Sequence, residues 1–438
     1  MRGLKAGGRM GIVIAVLIFG LMVIVHELGH FLLAKKNGIG VEEFSIGMGP
    51  RLFSFERGGT RYSLKLLPLG GSCAMKGELE DAEGEDSFQS KSVGKRISVV
   101  IAGPLFNFFL AFVAAVILVN GVGFDVPEVL KVPEGSPAAE AGLQEGDVIK
   151  EYNGTSIYLG RDLDLQEYLY GVPAGGVDLT VLRNGEKIRL HYTPQSEKRY
   201  MLGFNYYETE DPAELSSVEL NQPLYEAGLQ AGDVITAIDG QEITSGAELG
   251  AYFDAHPMDG SSLTVRYSRR GSEKEVQVTP MMTEHAELGF YYNYYREKSS
   301  DPIQILKYSA LEVRYSIVNV FSSLKMFFTG QVGIDDFSGP VGIVNVVDTN
   351  YEAAKSQGTF ITWMSMLNLL ILLSANLGIV NLLPIPGLDG GRLVFLILEL
   401  IRGKRVKEET EGAIHFAGMM LMLALIVYVT FHDFVKFF

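Results

Sequence analysis

A single cysteine, Cys73, stands in 438 residues, so no intrachain disulfide framework holds this chain together, and packing and membrane insertion must do that work. A basic surface is missing too. The net charge is −15, and residues 125–300 hold 30 acidic against 14 basic side chains, so nothing here suggests a nucleic acid partner, which would want a basic face. More telling is where charge of either sign is absent. From Met10 to Ala34 the only formal charge is Glu27, Ile97–Phe124 and Ser356–Leu388 carry none, and Gly412–Phe431 carries only His415. Each run is long enough to cross a bilayer as a helix, so four spans are expected. Leu393–Leu400 is apolar but too short to cross before Arg402, Lys404, Arg405 and Lys407, and reads as a short or re-entrant helix.

Arg2, Lys5 and Arg9 precede the first run as they would in a signal peptide, but its length and the missing small-residue cleavage site favour a span. Met10 begins a stretch that would itself make a normal N-terminus, so residues 1–9 read either as native sequence or as an upstream extension.

Between the second and third apolar runs the sequence repeats itself. VPEGSPAAEAGLQEGDVIKEYNG from Val132 and VELNQPLYEAGLQAGDVITAIDG from Val218 match at 12 of 23 positions with an offset of 86. Both copies continue through an LTV strand, at Leu179 and Leu263, to an LGF triplet, at Leu202 and Leu288. Each is a small α+β module: a short helix with a Gly-Leu exit, a Gly-Asp turn, an alternating strand and a late hairpin. This order resembles the circularly permuted PDZ domains of bacterial envelope proteases. The resemblance implies modules that take up an extended peptide or chain end at a sheet edge, or that act as a steric filter. Which LGF closes which copy depends on the phase of the repeat, which the sequence leaves open.

These features divide the chain into 1–34 with the first span, a 35–96 loop, a second span in 97–124, modules at 125–204 and 205–300, surface or amphipathic helices in 301–355, a third span in 356–388, a 389–411 loop with a short helix, and a last span in 412–438. Lys307, Glu312, Arg314 and Lys325 keep the 301–329 helix on the membrane surface or against protein.

Inside the first span lies His26-Glu27-Leu28-Gly29-His30. Residues four apart share a helix face, so both imidazoles can meet one metal with Glu27 beside them, and zinc suits two neutral imidazoles, a carboxylate and a water. A glutamate within hydrocarbon costs about 2–3 kcal/mol, which asks for a function. The set lacks one protein ligand. Asp389, in NLLPIPGLDGG from Asn381, ends the third run on the side where His30 ends the first, because spans one and three run in the same direction. At 1.5 Å per residue His30 lies about 7 Å and His26 about 13 Å inside Lys35, and a re-entrant Pro384–Gly387 turn would carry Asp389 to that depth. If Asp389 is instead a capping residue, His415 is the next candidate. Arg51–Leu67 alternates around Gly58-Gly59 as a hairpin. This hairpin or the Leu69–Gly71 segment, with Gly70 and Gly71, is expected either to dip toward the site and pair with substrate as a strand, or to be a plain cytosolic hairpin. Pro104 and Asn107 are expected to shape the packing of the second span against the site, and His415 to be an interfacial or packing residue.

HELGH at His26, LPLGG at Leu67, AGPLFN at Ala102, the tandem modules, SGPVGI at Ser338 and NLLPIPGLDGGR at Asn381 together resemble the bacterial site-2 protease family, and within it the regulator-of-sigma intramembrane metalloproteases. The motifs stand in family order over nearly the whole chain. Departures are confined to Gly387 and Ser72-Cys73. The resemblance implies His26, His30 and Asp389 as Zn2+ ligands, Glu27 as general base, and Asn381 as a residue that holds substrate or oxyanion.

The expected protein is thus a polytopic α-helical membrane protein with four transmembrane helices and two extracytoplasmic PDZ-like domains in tandem. It would cut transmembrane segments of single-span membrane proteins in regulated intramembrane proteolysis, an anti-sigma factor or leftover signal peptides being examples. Its partners would be those substrates, peptide ends at the modules and membrane lipid, with no nucleic acid. A membrane-anchored zinc peptidase acting on soluble peptides and a non-enzymatic PDZ scaffold are the alternatives. Ten Lys or Arg in Lys35–Arg96 and four in Arg402–Lys407 place those loops in the cytoplasm of a multi-pass inner-membrane protein, with the zinc site near that side.

Overall fold

A computed structural model describes residues 8–78, 84–219, 221–269, 271–329 and 339–437. Residues 1–7 and Ser338 of the SGPVGI motif lie outside them. The described residues form two compact units, one from the segments up to Phe124, Glu297–Phe327 and Gly339 onward, the other from Asp125–Arg296 with Phe328 and Thr329.

In the first unit Gly8–Lys36 (α1) carries the HELGH motif. A hairpin follows, Val41–Arg57 (β1) and Thr60–Met75 (β2), turning at Gly58 and Gly59 with φ of 58° and 71°. Two successive positive φ values require the glycine pair found there. The hairpin is longer than the alternation suggests and folds on itself: Glu43–Ile46 pairs with both Arg61–Leu64 and Gly71–Ala74, while Phe53–Glu56 pairs with Arg61–Leu64. Phe31 of α1 packs on Phe44 and Tyr62, docking this sheet against the helix, while Leu52, Phe53 and Phe55 at its far end are exposed. Val93–Val122 (α2) then packs along α1.

The second unit contains both copies of the repeat. The short helices Pro137–Glu140 (α3) and Pro223–Glu226 (α5) and the longer Gly160–Tyr170 (α4) and Gly246–Ala255 (α6) flank two four-stranded sheets of the same strand order. The offset of 86 recurs in atomic detail. Arg183 bridges Asp147 and the Gly142 carbonyl, and Arg269 bridges Asp233 and the Gly228 carbonyl, with bonds of 2.6–2.7 Å.

The phase of the repeat is settled by the cores. Leu288 and Phe290 pack with Val129, Ile149 and Leu179 of the first copy, whereas Leu202 packs with Leu215, Ile235 and Val265 of the second. Ser196–Met201 pairs with Met281–Ala286, joining the two halves. A boundary at 204/205 therefore does not separate the cores. The second module is inserted into the first, because each LGF triplet closes the other copy.

The first unit resumes with Pro302–Phe328 (α7), Pro340–Lys355 (α8), Thr359–Leu382 (α9), Asp389–Arg402 (α10) and Glu408–Phe437 (α11). Residues of α1, α2, α7, α8 and α9 share one core that includes Ala15, Met22, Ala115, Val313, Val347 and Ile371. Small residues permit close approach of α9 to α2: a Cβ on Gly378 would meet Phe108 and the Pro104 carbonyl, and Ser374 Oγ donates to the Asn107 carbonyl at 2.8 Å. Among the described residues four helices are long and apolar enough to cross a membrane, Met10–Lys36, Val93–Val122, Thr359–Leu382 and Glu409–Asp433. Their outer faces expose Leu17, Phe109, Phe416, Leu421 and Val427, an apolar surface that only lipid or another protein covers. The third helix stops at Leu382 rather than continuing to Leu388, since Pro384 and Pro386 end it.

Candidate metal centre

The helical period of α1 brings His26 and His30 to one face, both nearly buried, with their rings 4.9 Å apart. Asp389 reaches them from the first residue of α10. A Leu383–Leu388 turn ends α9 and starts α10, and it closes tightly because Gly390 and Gly391 lack side chains: a Cβ there would strike the carbonyls of Leu383 and Ile385. His415 Nδ1 accepts the Gly387 N–H at 3.0 Å, and Gly418 lets α11 lie against Pro386. His415 thus braces the turn that carries Asp389, which is the packing alternative of the two roles expected of it.

The three atoms form a triangle. His26 Nε2 lies 3.2 Å from His30 Nε2 and 3.2 Å from Asp389 Oδ2, and His30 Nε2 lies 3.4 Å from that oxygen. Zinc bonds of about 2.0–2.1 Å to nitrogen and oxygen give a tetrahedron with an edge of about 3.3–3.4 Å, so these three sides fit one such face. The proton inventory points the same way. His30 Nδ1 donates to the Val99 carbonyl at 2.9 Å, which leaves the neutral ring's lone pair on Nε2, and Asp389 Oδ2 is buried without a hydrogen-bond donor. Lone pairs converging on one point need a cation. The residues present therefore fit a tetrahedral metal with its fourth position open.

The second helix supplies the walls. Val99, Gly103 and Asn107 recur every fourth residue and face α1: the first holds His30, the second leaves room for both rings, and Asn107 Nδ2 lies 3.1 Å from His26 Nδ1. That fourfold spacing, which runs from Val99 into AGPLFN, was the available signal for these contacts. Asn107, expected to shape the packing of this span against the site, directly touches a candidate ligand.

The hairpin runs beside Glu27: a Cβ on Gly71 would lie 3.1 Å from Glu27 Cγ. The Gly71–Cys73 strand therefore passes directly beside the carboxylate. Gly70, with φ of 80°, bends the chain into that strand beside Met48. Burial pushes the Cys73 thiol up to about 12, with the neighbouring Glu27 charge adding to it, so it stays protonated and inert. Asn381 sits half-buried in the last turn of α9, eight residues before Asp389, outside the triangle.

A model of peptidase family M50 matches residues 14–425. This chain belongs to peptidase family M50. Among its M50 relatives is the zinc metalloprotease RasP of Shouchella clausii, 32% identical, the alignment covering 96% of this chain and 98% of that one. RasP of Geobacillus kaustophilus is 30% identical over 97% of each chain. Among solved structures, the PDZ domain of HtrA3 with a phage-derived ligand overlaps 21% of this M50 chain and 93% of its own length, at 17% identity and a TM-score of 0.18.

Proposed function

We propose that this M50 peptidase is a zinc-dependent intramembrane endopeptidase that hydrolyses peptide bonds within transmembrane segments of other proteins. The observation that carries the reading is the triangle of His26, His30 and Asp389, whose edges fit a tetrahedral zinc face and whose members come from helices set among four apolar spans. Bound zinc would polarise the scissile carbonyl and acidify the attacking water. Glu27, one residue along the helix from His26, takes the water's proton and passes it to the leaving amine. The hairpin strand at Gly71 lies against its side chain and walls the carboxylate toward the site.

A transmembrane helix must unwind before its backbone can be attacked. The Gly71–Ala74 edge of the hairpin is suited to receive it. That stretch pairs with Glu43–Ile46 on one side and, among the described residues, has no strand on the other. The absence of a side chain at Gly71 lets an extended substrate lie close to Glu27. Asn381 would steady the substrate or the developing oxyanion from the end of α9. The two PDZ-like modules lie outside the cytoplasm in this reading, supported by the basic loops on the opposite side, and admit or select chain ends before cleavage.

Purified protein incubated with a single-span substrate, followed by sequencing of the products, tests this directly. Cleavage inside the span, abolished by Glu27→Gln, is expected. Cleavage only in a soluble loop would make the chain a membrane-anchored peptidase, and no cleavage with zinc bound would leave a scaffold.

A further inference from the structure

Asn107 is fully buried on α2, and its position is fixed from both sides: Ser374 of α9 donates to its backbone carbonyl, and its side chain faces His26 Nδ1 at 3.1 Å. Two features of that contact do not agree with each other. The amide nitrogen points at Nδ1, while Oδ1 is left buried with no hydrogen-bond partner. An imidazole that offers Nε2 to a metal carries its proton on Nδ1 and so needs an acceptor there, not a second donor. The two ends of a carboxamide are nearly the same shape and can be exchanged by a half-turn of the side chain. Turning it puts Oδ1 opposite Nδ1–H and gives the orphaned oxygen its partner.

The geometry points to Asn107 as the positioning residue of the metal centre: its side-chain oxygen accepts the His26 Nδ1 proton and thereby fixes the tautomer and plane of that ring, as the Val99 carbonyl does for His30. The inference rests on the proposed metal role of His26, His30 and Asp389. The division of labour has a physical reason. His30 meets a backbone carbonyl, which only accepts and cannot turn away, whereas His26 is one turn deeper and meets a side chain that must be set. The Ser374 bond from the third helix holds the backbone beneath that side chain, so the ring of His26 is tied indirectly to α9, which also leads to Asp389.

The test compares two substitutions of nearly equal size in the full-length protein. Asn107→Asp keeps an acceptor opposite Nδ1, and Asn107→Leu keeps the volume but removes it. Zinc affinity is read by chelator competition, and the ligand field by the visible spectrum of the cobalt-substituted protein. The expected result is a loss of about 10–100-fold in zinc affinity with an altered cobalt spectrum for Leu, and near wild-type affinity and spectrum for Asp. A residue that only packs helices predicts the reverse order, because a buried carboxylate is far costlier between apolar helices than leucine. Equal affinities for all three proteins, or Asp worse than Leu, overturn the proposal. Asn107→Ala, expected to behave as Leu, replaces it if the Leu variant does not insert. Asp389→Ala is the control for the underlying reading: if it and His26→Ala bind zinc as wild type does, the metal assignment falls and the role of Asn107 with it.

Discussion

A methyl group added at Gly103 tests the metal centre more directly than deletion of a ligand, because it leaves every candidate ligand in the chain. A Cβ at this position would lie 2.3 Å from His30 Nε2, 2.7 Å from its Cε1 and 2.8 Å from His26 Cε1. Ordinary contact needs about 3.4 Å, so one ring or one helix has to move by about 1 Å. His30 cannot withdraw without breaking its 2.9 Å bond to Val99, and the helices are already in contact where Gly29 faces the Ala102 carbonyl. Accommodation by over-packing costs about 1–3 kcal/mol, which a chain of this size can absorb while remaining folded. Coordination is less forgiving. A metal site tolerates distance errors of about 0.2 Å, so a shift of about 1 Å should abolish high-affinity binding. Gly103→Ala is therefore expected to purify as a folded protein with little or no zinc, measured by elemental analysis after dialysis against a weak chelator. Gly20→Ala, whose added methyl meets nothing within 4 Å, should retain full zinc content. If Gly103→Ala bound zinc with wild-type stoichiometry and affinity, the metal could not lie between these rings and α2.

Three further outcomes follow from the same geometry. Glu27→Gln should keep zinc and stability but lose activity by at least about 100-fold, since an amide cannot take the water's proton; retained turnover in a quantitative cleavage assay would remove Glu27 as general base. Asp389→Ala should lose both zinc and activity, and zinc bound as tightly as by wild type would demote Asp389 to a capping residue of α10. In the hairpin, the hydrogen bond from Arg51 holds Glu43 down at about 2, helped by Ser63 and Lys65 against partial burial. A depressed carboxylate contributes stability above its ordinary value of about 4.3 and loses it as pH falls toward about 2, so the thermal midpoints of wild type and Glu43→Gln should differ at pH 7 and converge across that window. A gap unchanged down to pH 2.5 would count against the ion pair.

The parts of the site that lie on one helix could be read from the sequence, because His26, Glu27 and His30 obey the helical period and the charge-free runs around them set the span. Asp389 was reachable by a longer route, through the parity of the spans and a Pro-Gly turn, and the structure brings it within 3.4 Å of both histidines. What escaped depended on contacts between helices. The fourfold spacing of Val99, Gly103 and Asn107 is visible, but nothing in the sequence says which face of α2 meets α1. His415 was legible as a packing residue near the Asp389 loop, but its partner, the backbone N–H of Gly387, was not, because a backbone group leaves no compositional trace. The phase of the repeat was hidden because both LGF triplets have the same letters, and only the cores of the folded modules tell them apart.

The nesting of the two modules gives them unequal independence. Every buried residue of the second core falls between Leu202 and Val278, so that segment contains all it needs to close on itself. The first core must wait for Leu288 and Phe290, and its Tyr192 hydroxyl bonds the Leu288 carbonyl across 96 residues of chain. During synthesis the inner module can be complete while the outer one is still open, and the order in which the two fold is set by chain connectivity rather than by their relative stabilities. The same connectivity governs how the region can be dissected. Excision of about 203–280 with a short linker should leave the outer module whole, whereas no cut at the repeat boundary can release the outer module alone. A deletion that starts near residue 205 and runs to about 300 would strip the outer module of Leu288 and Phe290, and a phenotype from that deletion would report misfolding rather than the loss of one binding site.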